Sequence, residues 1–223
     1  MLHRKIIGIF LFSMICYQTS GFAKTKLVQI IIDNSGMIHD EKDPRGKSGF
    51  DKFVLDFLNE IANKHRRERK DTTIRIASAT EPPRQIWMGY ASDFSRKGIK
   101  SADIRDLIKD KSGCNNIPIA LVDAKDSKYL TQADINDLYI ITSGVHSGPE
   151  CEKLTQINYE LLIRKIDKDF VESLKSITTE FDWLSIQYLT STQRRLLFRE
   201  LANNTHQRNL GVQGQGFILS SQD

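Results

Sequence analysis

The chain has 223 residues, with 32 lysines and arginines, 28 acidic residues and a formal net charge of +4. It is long enough for one domain with a full hydrophobic core, and its nearly balanced charge gives no argument for a nucleic-acid partner. Beyond the first 23 residues, no stretch is apolar over the about 20 residues that a membrane span needs.

Residues 1–23 are predicted to be a secretory signal peptide that is removed from the mature protein. A basic start at residues 3–5 precedes an apolar stretch, Ile6–Tyr17, and small residues stand at positions −3 and −1 of a cut after Ala23. An uncleaved anchor would need about 20 apolar residues, and a lipid anchor on Cys16 would need small residues before it. We therefore expect a periplasmic or secreted protein with a net charge of about +2 after loss of two basic residues.

The first predicted strand is an apolar run that begins at Leu27 and ends in Asp33-Asn34-Ser35-Gly36-Met37. A buried strand that delivers Asp, Ser and Gly to its carboxyl end places a carboxylate, a hydroxyl and free N–H groups where open α/β sheets bind ligands. The alternative is an ordinary polar turn in which Asp33 accepts hydrogen bonds from backbone N–H groups.

Helix and strand patterns then alternate along the chain. Ser48 and Asp51 form the pattern of a capping box, and apolar residues recur after them at helical spacing as far as Ile61. Thr73–Ala79 is predicted to be a strand. After a pair of prolines, Gln85–Tyr90 is predicted to return as a strand at the edge of the sheet.

The middle of the chain is predicted to contain two helices and a strand. Ser101–Lys109 has the pattern of a short helix. A second helix, Ile117–Lys125, is expected to be capped by Asn115 or Asn116. Asp137–Thr142 is apolar enough to be a buried strand that delivers the next residue to its carboxyl end.

The last third of the chain is less regular. Cys151–Thr179 is predicted to be mostly helical, with no clear division into elements. Trp183–Leu189 is predicted to be the last strand and Ser191–Asn204 the last helix. The tail from Gln207 onward contains several glycines and is predicted to be loose.

Strands that alternate with helices predict an α/β fold of three layers, αβα, with a mainly parallel, doubly wound sheet and one antiparallel edge strand. The predicted domain spans residues 24–206, followed by a flexible tail over residues 207–223. Because parallel strands end at one edge of a sheet, we expect Asp33, Asn115 and Ser143 to lie together there.

Three short motifs, in this order, resemble those of von Willebrand factor A-type (vWA) domains over about residues 26–204. That family carries Asp-x-Ser-x-Ser after its first strand, a Thr in a Gly-Thr-Asn loop, and an Asp in Thr-Asp-Gly after its fourth strand. The resemblance implies a Rossmann-like sheet and a metal-ion-dependent adhesion site. There, oxygen ligands hold Mg²⁺ and leave one position open for a carboxylate of the partner.

Carried onto this sequence, the metal site is incomplete. Asp33 and Ser35 match the first motif, but Met37 replaces its second Ser. Asn115 stands at the Thr position, and Ser143 replaces the Asp. A Met sulfur is too soft a ligand for Mg²⁺, so we expect no resident cofactor and at most weak Mg²⁺ binding through Asp33, Ser35 and Asn115.

The resemblance implies an exported, non-enzymatic module that binds another protein, in adhesion or in assembly of an envelope complex. We expect no nucleic-acid partner and no membrane span after cleavage of the signal peptide. The partner is expected to contact the loops at the carboxyl edge of the sheet. The candidate binding residues are Asp33, Ser35, Met37, Asn115, Ser143 and His146.

One alternative is an enzyme similar to haloacid-dehalogenase-type phosphohydrolases, with Asp33 as the nucleophile. Its motif, Asp-x-Asp-Gly-Thr, is distantly similar to the sequence after the first strand, but Ser35 stands at the acid/base position. Such an enzyme also needs a late acidic pair for Mg²⁺, and no acidic pair ends Trp183–Leu189.

A second alternative is a protein that binds nucleic acid or another polyanion through basic side chains. These are Arg66, Arg67, Arg69 and Lys70, together with Arg194, Arg195 and Arg199. Steep salt dependence of binding would distinguish this function. The simpler explanation of the first group is its favourable position near the dipole at a helix C-terminus.

Cleavage of the leader removes Cys16 and leaves Cys114 and Cys151. Two cysteines in an exported protein are expected to form a disulfide, and the predicted topology places both on the ligand edge of the sheet. The alternative is two buried thiols that do not meet. A one-residue shift of the middle motif would place Cys114, in place of Asn115, at the Thr position.

Overall fold

The computed structural model describes residues 24–34, 47–68, 71–101, 103, 104, 106, 114–145, 161, 162, 164–202, 209–213 and 216–220. The strands are β1 (Lys26–Ile32), β2 (Thr72–Ser78), β3 (Gln85–Tyr90), β4 (Ile135–Ile141), β5 (Trp183–Gln187), β6 (Asn209–Gln213) and β7 (Gly216–Ser220). The longer helices are α1 (Lys47–His65), α2 (Ile117–Lys125), α3 (Lys168–Ile177) and α4 (Ser191–Ala202).

The strands form one sheet in the order β3-β2-β1-β4-β5-β7-β6. β2, β1, β4 and β5 are parallel neighbours, as crossover connections through helices require. β3 is antiparallel to β2 and forms one edge. The prediction of an α/β fold with a mainly parallel sheet and an antiparallel edge strand is therefore confirmed.

Two hydrophobic cores cover the two faces of the sheet. On one face, α1 packs through Phe50, Val54 and Leu58 against even-numbered residues of β1. On the other face, apolar residues of α2, α3 and α4 pack against β4 and β5. Successive side chains of a strand point to opposite faces, so the buried strands contribute side chains to both cores. This arrangement confirms the three predicted layers.

Several predicted elements need correction at their ends. The first helix begins at Lys47, so Ser48 lies inside its first turn and is not its N-cap. A helical segment over Ala91–Gly98 was not predicted. Of the predicted helix Ser101–Lys109, the structure describes only part, including the buried Ile104. Among the described helices, none is long and apolar enough to cross a membrane.

The described residues of the tail form two strands that were not predicted. β6 and β7 form an antiparallel hairpin, and β7 pairs with β5. Trp183–Leu189 is therefore not the last strand, and antiparallel strands lie at both edges of the sheet. In sequence, β6 ends two residues before β7 begins, which is the spacing of the commonest hairpins. The hairpin also covers the hydrogen-bonding groups that β5 would otherwise leave unpaired.

Candidate functional site

Four parallel strands end at one edge of the sheet, which we call the carboxyl edge. The residues that follow the strands there are Asp33 and Asn34 after β1, Ala79 and Thr80 after β2, Thr142–Val145 after β4, and Tyr188–Thr190 after β5. Ile32 is in register with Ser78 on one side and Ile141 on the other. The end of β1 therefore lies between the ends of β2 and β4.

Asp33 is fully buried and accepts hydrogen bonds from two distant parts of the chain. Its Oδ2 accepts from the Thr142 hydroxyl at 2.9 Å and from Asn115 Nδ2 at 2.8 Å. These partners are 109 and 82 residues away in sequence. We call these three residues the Asp33 cluster. It joins the ends of β1 and β4 to the loop before α2.

Backbone contacts place Asn115 against Asp33. Asn115 forms an isolated bridge with Thr80, and the N–H of Asn116 donates to the Ala79 carbonyl at 2.6 Å. The Asn115 amide also donates to the carbonyl of Val145 at 2.8 Å. One side chain thus contacts chain segments that follow β1 and β4, and it is itself held beside the end of β2.

Thr142 contacts Asp33 from the end of β4, although it was not among the predicted site residues. Its buried hydroxyl donates to Asp33 and accepts from the N–H of Gly144 at 2.9 Å. The hydroxyl of Ser143, the predicted residue, accepts from the N–H of Val145 at 3.4 Å. The register of β1 and β4 puts Thr142 beside Asp33, and that register is a tertiary fact with no signal in the sequence.

Asn116 is the N-cap of α2. Its Oδ1 accepts from the N–H of Ile119 at 3.2 Å, as a capping side chain does. Its Nδ2 donates to Glu81 Oε2 at 2.8 Å. Of the two residues predicted as caps, Asn116 fills that role, while Asn115 contacts Asp33.

Among the described residues, the two donors to Asp33 are not arranged as ligands of a resident magnesium ion. Mg²⁺ is bound by oxygen lone pairs in near-octahedral geometry. Here Asn115 directs its amide nitrogen, and Thr142 its hydroxyl hydrogen, at the Asp33 carboxylate. These groups are arranged as hydrogen-bond donors to Asp33, not as fellow ligands of a cation.

Several predicted site residues lie outside the described part of the chain. They are Ser35, Met37, His146 and Cys151, and their roles stay predictions. Cys114 directly precedes Asn115 and is half-buried. Its pairing with Cys151 stays a prediction for the same reason.

Two turns at the carboxyl edge have left-handed backbone conformations, at Gly144 (φ 72°) and Tyr188 (φ 70°). A Cβ atom on Gly144 would lie 2.7 Å from Leu189 Cδ2 and 3.0 Å from Gln193 Nε2. The turn after β4 therefore packs closely against the turn after β5, and glycine is required there. Tyr188 adopts its unusual conformation with its ring packed 4.9 Å from that of Phe50.

The sequence matches no protein-family model, and no curated protein is significantly similar to it. Solved structures do share its fold. The manganese-loaded TRAP protein of Plasmodium vivax has a TM-score of 0.52 at 12% identity, over 84% of this chain and 66% of that one. The minor pilin PilB of Streptococcus sanguinis has a TM-score of 0.51 at 11% identity, over 82% of this chain and 55% of that one.

The vWF domain of the pilus tip protein Mfa5 from Porphyromonas gingivalis is also similar. Its TM-score is 0.42 at 14% identity, over 56% of this chain and 40% of that one. The chain has a von Willebrand factor A-type fold. It spans 15% to 40% of the length of the pilus tip and pilus adhesin chains that it matches. At these identities, the likeness concerns the fold alone.

Proposed function

We propose that this chain is an exported, non-enzymatic module that binds another protein through the loops of the carboxyl edge. The observation that supports it is the Asp33 cluster. It lies where the vWA resemblance implies a metal ion, and its donors instead satisfy the carboxylate from within the protein. The edge therefore offers a surface for protein contact in place of an ion with an open position.

The geometry of Asp33 argues against the phosphohydrolase alternative. A nucleophilic carboxylate must reach its substrate, and Asp33 has no exposed surface. Two of the side chains that donate to it are an amide and a hydroxyl. Neither group titrates near neutral pH, so neither is suited to act as the general acid or base that the reaction needs.

In the part of the carboxyl edge that the structure describes, specific contacts fix two turns, which benefits a recognition surface. The Asn116–Glu81 hydrogen bond fixes the loop after β2 to the start of α2, and close packing fixes the turn at Gly144. A surface that is already ordered loses less conformational entropy when a partner binds. PilB is a minor pilin, which supports an envelope assembly role by analogy of fold.

Photo-crosslinking in living cells tests this proposal. A benzophenone amino acid is introduced at Arg84 or Ser191, two exposed positions at the carboxyl edge. Matched controls carry it at Asn63 or Arg67, exposed at the opposite edge near the end of α1. We expect a discrete protein adduct from the carboxyl-edge positions only.

Adducts from Asn63 or Arg67 alone would overturn the proposed surface. Adducts with nucleic acid at those positions would favour the polyanion alternative, because Arg66 and Arg67 are exposed there. Salt dependence of the adduct yield provides an independent check, since release of counterions makes polyanion binding fall steeply with salt.

Export is tested separately, by mass spectrometry of the protein from fractionated cells. We expect a mature N-terminus at Lys24 in the periplasmic or secreted fraction, because a basic start, a short apolar run and small residues precede it. Protein that retains Met1 in the soluble cytosolic fraction would show that the leader is not used.

A further inference from the structure

β3 is a terminal strand of the sheet, and it lacks most of the features that usually protect such a strand. Within the part of the chain that the structure describes, it pairs with β2 alone, so every second residue directs its N–H and C=O groups outward. Proteins usually protect an edge strand with charges, a proline or a bulge. The sequence of β3, Gln-Ile-Trp-Met-Gly-Tyr, contains neither a charge nor a proline. Its bulge lies near Ile86, and residues 87–90 pair regularly with β2.

The outer side of β3 is accessible to another chain. Gln85 and Tyr90 are exposed, and residues 87–89 are half-buried. The Trp87 ring lies along the strand over Gly89, where a Cβ atom would be 3.0 Å from the ring. The backbone of β3 is therefore open to pairing with a further strand.

Two apolar side chains of β3 lie on the same face of the sheet as α2. Met88 is in register with Arg75, whose guanidinium donates to Asp123 of α2. Tyr90, which is 44% exposed, lies two residues further along and thus on the same face. Gln29 also accepts from the Arg75 guanidinium. The charge that lies beside Met88 is therefore already paired.

The outward backbone groups of β3 determine which kind of occupant fits. A row of N–H and C=O groups is satisfied by another extended chain, which adds a strand to the sheet. A second copy of β3 can do this in the antiparallel direction, around a twofold axis perpendicular to the sheet. Because β3 carries no charge, such pairing brings no like charges together within the strands.

The side chains of β3 also suit pairing with a second copy. Residues that lie opposite each other in an antiparallel pair are on the same face of the sheet. Met88 would therefore lie opposite its own counterpart or opposite Tyr90 of the second copy. A methionine makes favourable contacts with either side chain. The exposed apolar groups of one copy are thus covered by the same groups of the other.

We propose that β3 pairs with β3 of a second copy, so that two sheets join into one in a twofold-symmetric dimer. A single pair of strands gives a small interface, so the dimer is reversible. The twofold axis reverses the direction of the strands, and the two carboxyl edges therefore face opposite ways. Under the proposed function, the dimer can bind two partner molecules at its two ends. Only this consequence depends on the proposed function.

Analytical ultracentrifugation of the exported chain over a series of concentrations tests the pairing. We expect the mass to rise reversibly from that of one chain to that of two. A protein that stays monomeric up to about 1 mM would overturn the proposal. Growth beyond a dimer would also overturn it, because pairing between two different edges forms open chains and not a closed pair.

The decisive variant is Met88→Lys, which places a lysine on the edge of each copy. It should weaken the dimer at least about tenfold, because an apolar contact is lost and positive charges are brought to the shared interface. The control, Val122→Lys, adds the same charge in place of an apolar side chain that is 52% exposed on α2. It should dimerise like the unaltered protein. The amide spectrum reports folding, and Tyr90→Lys replaces Met88→Lys if that variant is unfolded.

Hydrogen exchange at increasing concentration locates the interface. Exchange should slow at the amides of β3 and stay unchanged at those of β5, which is already paired with β4 and β7. A dimer without slower exchange in β3, or one that Met88→Lys does not weaken, would contradict the proposal. The proposed function fails or succeeds separately, through partner adducts at Ser191. A self-adduct from Arg84, which precedes β3, is recognised by its doubled mass.

Discussion

Buried polar groups lie both at the carboxyl edge and at the opposite edge, where the parallel strands begin. The two sets of groups are hydrogen-bonded or paired in different ways. At the carboxyl edge, Asp33 accepts hydrogen bonds from an amide and a hydroxyl. At the opposite edge, Lys26 pairs with Asp137 at 2.7 Å, and His65 Nδ1 lies 2.6 Å from Glu68 Oε2. The carboxyl edge relies on neutral donors around a carboxylate. The opposite edge combines the Lys26–Asp137 ion pair with the hydrogen bond between His65 and Glu68.

The two edges also differ in the sequence distance that they bridge. His65 and Glu68 are three residues apart, and Thr72 donates to the same Glu68 carboxylate from four residues further on. The partners of Asp33 are 82 and 109 residues away. A polar cluster built from local contacts forms wherever the helix end forms, whereas the Asp33 cluster exists only in the complete fold.

Burial decides the direction of the pKa shift of His65 but not that of Glu68. It lowers the pKa of His65, and the hydrogen bond and charge of Glu68 oppose that shift only in part. Burial acts to raise the pKa of Glu68, but the hydrogen bonds from Thr72 and His65, together with nearby positive charge, leave that pKa below its usual value. The folded protein therefore favours neutral His65 beside ionised Glu68.

Removal of one carboxylate from each edge should give the largest effect and the clearest contrast. Asp33→Ala leaves a buried amide and a buried hydroxyl without their acceptor, so we expect a loss of about 3–4 kcal/mol in the free energy of unfolding. Asp137→Ala leaves Lys26, whose side chain is 20% exposed and can turn toward water. We expect about 1–2 kcal/mol there. Urea unfolding measures both, and equal losses would remove the contrast.

Reduction of the predicted disulfide should affect the carboxyl edge alone. The predicted Cys114–Cys151 bond would close a loop of the unfolded chain and contribute about 2–4 kcal/mol. Hydrogen exchange under reducing conditions should accelerate at Asn115 and Asn116 while Glu68 and Thr72 keep their protection. Peptide mapping without reductant identifies the bond. Two free thiols in the oxidised, folded protein would contradict the pairing.

As the pH is lowered, protonation of His65 should be the first event that destabilises the folded protein. Its pKa is lower in the folded than in the unfolded state, so the unfolded chain binds more protons below about pH 6.5. The free energy of unfolding should therefore fall as the pH decreases from 6.5. Glu68, whose pKa is lowered from 4.5, adds a further loss at more acidic pH. His65→Gln should flatten the first part of the profile, and an unchanged slope would exclude His65 as its cause.

Addition of Mg²⁺ or Mn²⁺ should have the smallest effect, with no measurable rise in Tm. A functional site would contribute about 2.7 kcal/mol at one hundred times Kd. The triple variant Met37→Ser, Asn115→Thr, Ser143→Asp restores the oxygen ligands of the resembled motif and should gain a rise with Mg²⁺. A rise in the unaltered protein that Asp33→Ala abolishes would show that the site still binds metal.

Local sequence patterns were sufficient to predict several helices and strands. The bounds of α2 and β3 agree with the prediction, because a capping Asn and a pair of prolines mark them within a few residues. The parallel sheet followed from alternation of strands and helices. The hairpin of β6 and β7 was missed because glycines near a chain end are also typical of loose tails, and only pairing with β5 decides between the two.

The sequence by itself determined that Asp33 follows a buried strand and that Asn115 precedes a helix. Only the tertiary structure decided that Thr142 contacts Asp33, and that Asn116 is the cap while Asn115 contacts the carboxylate. Strand order and register settle these choices, because a shift of one residue turns each side chain to the opposite face. Such contacts connect residues about a hundred positions apart, whereas helix periodicity and capping act within a few.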